Sequence, residues 1–156
     1  MPVLNQVMFR AYDIRGKVAD ELTPDAAELI GKAFGTYIQS QEGQRVAVGH
    51  DNRISSPILH QAFIGGALST GCHIVDIGLS TSPLLYYAVV DLATDGGAIV
   101  TGSHNPVEYN GIKLTGRAAR AIAEEEIQQI WQIADRGDFA HGQGDLVQQS
   151  VVSDYI

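Results

Sequence analysis

Cysteine occurs once, at Cys72, so no disulfide can form within the chain. No cluster of cysteine and histidine has the spacing of a zinc site. Apolar runs are short, and none approaches the ~18 residues that a membrane span requires. The opening sixteen residues, Met1 to Gly16, contain no long apolar core and no small-residue cleavage pattern, which argues against a secretory signal and for a cytoplasmic protein. Basic residues are scarce: 10 Lys+Arg stand against 18 Asp+Glu, a formal charge of −8. A chain this acidic is not expected to take nucleic acid or an anionic membrane as its main partner. Three nucleotide and hydrolase signatures are also missing. No G-x-G-x-x-G follows a strand, no Walker A sequence occurs, and no G-x-S-x-G elbow is present.

What remains is an ordinary globular composition. The 156 residues are 45% hydrophobic and 18% charged, enough for one domain with a real core. Short apolar segments alternate with helical ones at βαβ spacing, so the expected fold class is α/β with a largely parallel sheet covered on both sides. Val7 to Tyr12 reads as a first strand. Thr23-Pro24-Asp25 then starts a helix with a hydroxyl cap, proline in the first turn and an acid near the dipole's positive end. Strands follow at Arg45 to Gly49 and Cys72 to Ile77, with helices opening at Ser55-Ser56-Pro57 and Ser82-Pro83. Gly65-Gly66 inside the second helix marks a close helix–sheet contact. Gly111 to Thr115 reads as a strand hairpinned onto its predecessor, and Ala119 to Arg136 as an amphipathic surface helix. Residues 1–136 form the expected domain. Residues 137–156 weaken into Gly142-Gln143-Gly144 and an apolar-tinged ending, and read as a segment leading toward a missing second domain.

The chemistry concentrates at Thr101-Gly102-Ser103-His104-Asn105-Pro106, which follows the glycine-bounded apolar run Gly97 to Val100. Asn-Pro marks a turn, and Ser103 stands at the end of a strand, where open α/β sheets bind ligands. Serine, histidine and asparagine are also ordinary turn residues, so the stretch is equally a plain strand-ending loop on composition alone. A Ser-His-Asp triad of Ser103, a histidine and Asp51 is disfavoured, because adjacent Ser103 and His104 cannot readily make the required hydrogen bond. Cations cluster in two places, Arg10, Arg15 and Lys17 in one and Lys113, Arg117 and Arg120 in the other. Such clusters would let an acidic protein hold an anionic substrate, or would be merely solvated.

Four stretches occur in order: Phe9-Arg10-Ala11-Tyr12-Asp13-Ile14-Arg15-Gly16, Gly49-His50-Asp51-Asn52-Arg53, Thr101 to Pro106, and Tyr109-Asn110-Gly111-Ile112-Lys113. Together they closely resemble domain 1 of the α-D-phosphohexomutases, the phosphomannomutase/phosphoglucomutase group. The opening stretch is unlike the Thr-Asp-Gly-Ile-Arg-Gly pattern of the phosphoglucosamine mutases. Gly102 stands where many members have alanine, a change the tight loop should tolerate. The resemblance implies a three-layer αβα domain with a mixed, largely parallel sheet, of the phosphoglucomutase domain 1 type.

The resemblance also implies a mechanism. The serine matching Ser103 would carry a phosphoryl group and exchange it with a hexose 1- or 6-phosphate through a bisphosphorylated sugar. Its phosphate would ligate Mg²⁺, completed by aspartates of a domain absent here, and a hexose 1,6-bisphosphate would act as activator. Arg15 and Lys113 are the expected partners of the phosphoserine charge, with Lys113 and then His104 as candidates for proton transfer. Tyr12, Arg15, Asn105 and Lys113 are the expected phosphate and substrate contacts, and Asp51 with Arg53 would brace the loops. The expected partners are the hexose phosphate and the remaining domains of the parent chain. An isolated domain is expected to be inactive. The alternative is a stand-alone phosphosugar-binding or regulatory module without turnover.

Overall fold

Thr23 opens the first helix by accepting the Ala26 N–H on its Oγ1 at 3.2 Å, with Pro24 and Asp25 in the first turn. In the computed structural model, which describes residues 4–155, that helix is α1 (Pro24–Ser40). It follows β1 (Ile14–Lys17) and precedes β2 (Arg45–His50), α2 (Ser56–Leu68), β3 (His73–Leu79), α3 (Ser82–Asp91), β4 (Gly96–Val100), β5 (Tyr109–Thr115), α4 (Glu124–Arg136), β6 (Leu146–Gln148) and the short α5 (Val152–Tyr155). Ile156, where the apolar ending of the sequence stops, lies outside the described residues.

One six-stranded sheet runs in the order β1-β5-β4-β2-β3-β6. The pairs β4-β2, β2-β3 and β3-β6 are parallel, whereas β5 lies antiparallel to both β4 and β1. β4 is buried along its whole length, which explains a run of glycine, alanine, isoleucine and valine with no polar alternation. Successive residues of β2 point to opposite faces. Val46 and Val48 join a core with Ile30, Phe34, Phe63, Ile127 and Ile130 of α1, α2 and α4. Ala47 joins a smaller core with Leu85, Ala88 and Val89 of α3 on the other face. The three-layer αβα arrangement and the mixed, mostly parallel sheet expected from the sequence are therefore present. No helix among the described residues is long and apolar enough to cross a membrane.

Three local expectations need correction. Val7 to Tyr12 is not a strand. Asn5 accepts the Val7 N–H and starts a 3₁₀ turn at Gln6–Met8, and the first strand begins at Ile14. Met8 and Phe9 are both buried while Val7 is 71% exposed, a pattern that no alternating strand can give. The final long helix begins at Glu124, not Ala119, because Ala118 and Ala119 adopt positive φ and Ala121 bridges to Thr115. Gly66 makes a close helix–helix contact rather than a helix–sheet one. A Cβ there would lie 2.1 Å from Glu28 O of α1, and one on Gly31 would lie 2.1 Å from Phe63 O of α2.

Beyond Arg136 the chain returns to the sheet. Gly137 caps α4 in the left-handed region, and Gly142 and Gly144 donate to Ser69 O and Leu68 O at the end of α2. β6 then extends β3, and Val151 is fully buried against the α3 core.

Candidate active site

The three central parallel strands end level with one another, since His50 lies opposite both Leu79 and Val100. The loops that leave them, at Asp51, Ser80 and Thr101, open on one edge of the sheet, the crevice position of α/β ligand sites. Ser103 sits in the loop between β4 and β5 and is exposed. Its φ of +50° is in the left-handed region, uncommon for a serine and one that the surrounding structure must hold in place. Its N–H donates to Thr101 Oγ1 at 3.2 Å, and Asn105 N–H donates to Gly102 O at 2.9 Å. Ser103 Oγ makes no hydrogen bond among the described residues.

Asp51 and Arg53 hold this loop from beneath. Asp51 Oδ2 accepts the Gly102 N–H at 3.0 Å, while Oδ1 accepts the Arg53 N–H and the Ser56 hydroxyl. Burial alone would push the Asp51 carboxyl up. The donors Ser56, Arg53 and Gly102 outweigh it and keep the group below the ordinary carboxylate range. Among the described residues no histidine bonds to this carboxylate, so the hydrolase triad is not assembled. Arg53 donates to four loop carbonyls, those of Ser103, Asn105, Pro106 and Tyr109. The bracing role read for this pair from the sequence is what the geometry shows. A Cβ on Gly102 would stand 2.1 Å from Arg53 Nε and Cζ, at the far end of a flexible side chain. Alanine at 102 is tolerated only if the guanidinium moves away.

The other candidate residues divide into two groups. Arg15 reaches the loop: it donates to Asn105 Oδ1 at 3.4 Å while pairing with Asp13 at 3.2 Å. Asn105 in turn donates to Gly102 O. His104 follows Ser103, and its ring has no partner among the described residues. Lys113 and Tyr12 make no hydrogen bond to this group among the described residues. They line a cleft of about 300 Å³ with Tyr86 of α3, and Tyr12 is 85% exposed. Lys113 lies two residues beyond Gly111, the cross-strand partner of Arg15, so the two cations share a sheet face. The Lys113 side chain makes no hydrogen bond or ion pair among the described residues. Arg117 and Arg120 are elsewhere and structurally engaged, with Asp95 and Glu126 respectively. Arg10, Arg15 and Lys17 line a separate cleft of about 310 Å³, beside Asp20 and Glu21.

Sequence reasoning missed Asn110, which is fully buried and donates to Ser55 Oγ and Ser56 Oγ at 2.8 and 3.0 Å. It ties β5 to the loop that carries Asp51. An asparagine preceding glycine within one of the four quoted stretches was the available signal. Ser56, hydrogen-bonded to Asp51, was read only as a helix start.

Residues 6–141 match the family described as phosphoglucomutase/phosphomannomutase, alpha/beta/alpha domain I. The chain belongs to this family as its domain I. It is 40% identical over 155 residues to a phosphomannomutase/phosphoglucomutase of Pseudomonas syringae, covering 99% of this chain and 33% of the relative. A phosphoglucomutase/phosphomannomutase of Thermococcus kodakarensis is 36% identical, with 34% of its length covered. The crystal structure of a family protein from Burkholderia thailandensis superposes with a TM-score of 0.92 at 35% identity, over 98% of this chain and 35% of that one. This domain I thus spans about a third of the length of the relatives it matches.

Proposed function

We propose that this domain is the phosphoryl-carrying part of a phosphomannomutase/phosphoglucomutase that interconverts hexose 1-phosphate and hexose 6-phosphate. The observation that carries the reading is the Ser103 hydroxyl, exposed and unbonded at the carboxyl end of the central strand on a loop tied at both faces. In this reading the bond between Ser103 Oγ and phosphorus breaks as one forms to a sugar hydroxyl oxygen, the sugar's proton passes to a protein base, and a proton is delivered to Ser103 Oγ as it leaves. Lys113 and His104 exchange these protons, while Arg15 offsets the phosphoserine charge of about −1.5 to −2. Tyr12 and Asn105 complete the sugar-phosphate contacts. Phosphoryl transfer asks a protein mainly for positioning and charge stabilisation, which a rigidly held loop supplies.

Mg²⁺ fits the site only as a shared ion. No group of three or more acidic, histidine or cysteine residues that could hold a metal occurs among the described residues, and the Asp51 carboxylate is already engaged. A phosphate on Ser103 would be this chain's own ligand, with aspartates of a further domain completing the set. The bound ion would neutralise charge on the transferring group. Residues 137–156 lead, on this reading, toward that domain. On this reading the isolated domain, about a third of the relatives' length, has no turnover of its own.

A coupled mutase assay tests this, with Mg²⁺ and a hexose 1,6-bisphosphate, on this chain and on the parent polypeptide. Activity in the parent alone, abolished by Ser103→Ala, is expected. A parent without turnover that still binds hexose phosphate would favour the non-catalytic module, and activity indifferent to Ser103→Ala would sink the phosphoserine mechanism.

A further inference from the structure

Four carbonyl groups of the loop that presents Ser103 converge on a single side chain. Arg53 Nη1 donates to Pro106 O at 2.9 Å and Tyr109 O at 3.0 Å, and Nη2 to Asn105 O at 2.6 Å and Ser103 O at 3.2 Å. A guanidinium is planar and permanently charged, so the directions of its N–H bonds are fixed relative to one another. Four acceptors satisfied by one rigid fork leave the loop a single arrangement. Asp51 anchors the fork: its Oδ2 lies 3.7 Å from Arg53 Nε and accepts the Gly102 N–H as well.

We propose that Arg53 is a positioning residue for the reacting serine, holding Ser103 in its left-handed conformation through the loop carbonyls and so aiming Oγ outward. The inference rests on the reading of Ser103 as phosphoryl carrier. Positive φ at Ser103 is not self-sustaining for an L-residue with a side chain. Among the described residues its own backbone has two anchors, the N–H on Thr101 and the carbonyl on Arg53. Glycine at 102 gives the guanidinium its seat, because a Cβ there would overlap it. Each carbonyl oxygen engaged by Arg53 is also one fewer unpaired partial negative charge beside a phosphoserine. Arg53 is not the substrate's own ligand in this scheme. Its loss therefore acts on turnover, not on binding of the sugar phosphate.

The test uses the full parent polypeptide with glucose 1-phosphate as substrate, comparing Arg53→Lys, Arg53→Gln and Ser103→Ala with the wild type. Lysine keeps the charge and most of the stem but cannot form the fork. Both Arg53 variants are expected to lose about 10²-fold in kcat, the scale of a ~1 Å misplacement, with KM changed less than about twofold. In protein phosphorylated by a hexose 1,6-bisphosphate, the phosphoserine ³¹P resonance should shift or broaden in Arg53→Lys, with a native-like circular dichroism spectrum at the assay temperature guarding against simple unfolding. Wild-type-like kcat in Arg53→Lys, or a raised KM at unchanged kcat, overturns the positioning role while Ser103→Ala remains inactive. Activity surviving in Ser103→Ala overturns the carrier reading itself, and this inference with it.

Discussion

Two adjacent glycines in α2 should respond to the same substitution with opposite sign. Gly65 is exposed and a Cβ there would meet nothing within 4 Å, whereas a Cβ on Gly66 would lie 2.1 Å from Glu28 O and 3.0 Å from Lys32 N of α1. Alanine is better than glycine in a helix interior by about 0.5–1 kcal/mol, through backbone entropy that the unfolded chain no longer has to lose. Gly65→Ala should therefore stabilise by about that amount and raise the melting midpoint by about 1–4 °C for a chain of this size. Gly66→Ala gains the same propensity but must open the α1–α2 contact by nearly an ångström against backbone atoms, which cannot swing aside as a side-chain end can. Overpacking of this kind costs about 1–3 kcal/mol, and separating the helices also loosens the packing around Phe63 and Phe34, both fully buried. A net destabilisation of about 1–2 kcal/mol is expected, with a midpoint lowered by several degrees. Gly31→Ala, whose Cβ would meet Phe63 O, should behave like Gly66→Ala. Urea and thermal unfolding of the three variants decide the matter. A neutral Gly66→Ala, or a Gly65→Ala that destabilises, would refute the packing argument.

Three further outcomes follow from the polar contacts. The Arg120 guanidinium beside Glu126 holds that carboxyl at about 2, against burial and with help from the Tyr37 hydroxyl, while burial and then Glu126 push Tyr37 up to about 12. A depressed carboxyl contributes stability above its usual 4.5 that fades as pH falls toward 2, and a raised phenol contributes stability below 10 that fades between about 10 and 12. Glu126→Gln should flatten both flanks of the urea midpoint measured against pH, and a curve parallel to the wild type would count against the triad. Asp51→Asn should lose about 1.5–3 kcal/mol near neutral pH, because a charged acceptor of three hydrogen bonds is replaced, and should weaken the acid-side dependence of stability. Amide exchange at Gly102 would report the same loss locally, and unchanged protection there would contradict it. Asn110→Ala should cost about 2–3 kcal/mol in thermal unfolding, since it strips Ser55 and Ser56 of a buried donor and leaves the Gly111 N–H unpaired. A loss below about 0.5 kcal/mol would place those groups in contact with water instead.

How much of this was legible in the sequence depended on how local each feature is. The buried strand before Ser103, its glycine boundary and the Asn-Pro turn are set by neighbouring residues, and all three stand in the structure. The cap of α1 is equally local, Thr23 accepting an N–H three residues on. Where the reading slipped, a distant contact overrode local preference. Ala118 and Ala119 are good helix formers, yet Thr115 Oγ1 donates to Arg120 O and the Thr115–Ala121 bridge holds them out of α4. Met8 and Phe9 look like strand residues but fill the core from a turn.

The candidate site shows the same division. Asp51 and Arg53 could be named as braces because they sit in a recognisable stretch, but what Arg53 binds could not, since carbonyl oxygens are common to every residue. A guanidinium gathering four of them leaves no mark on the side chains at 103, 105, 106 and 109. The mark it does leave is subtractive. Gly102 lacks a Cβ where Arg53 lies, so a small residue there is what lets the guanidinium approach the serine backbone closely.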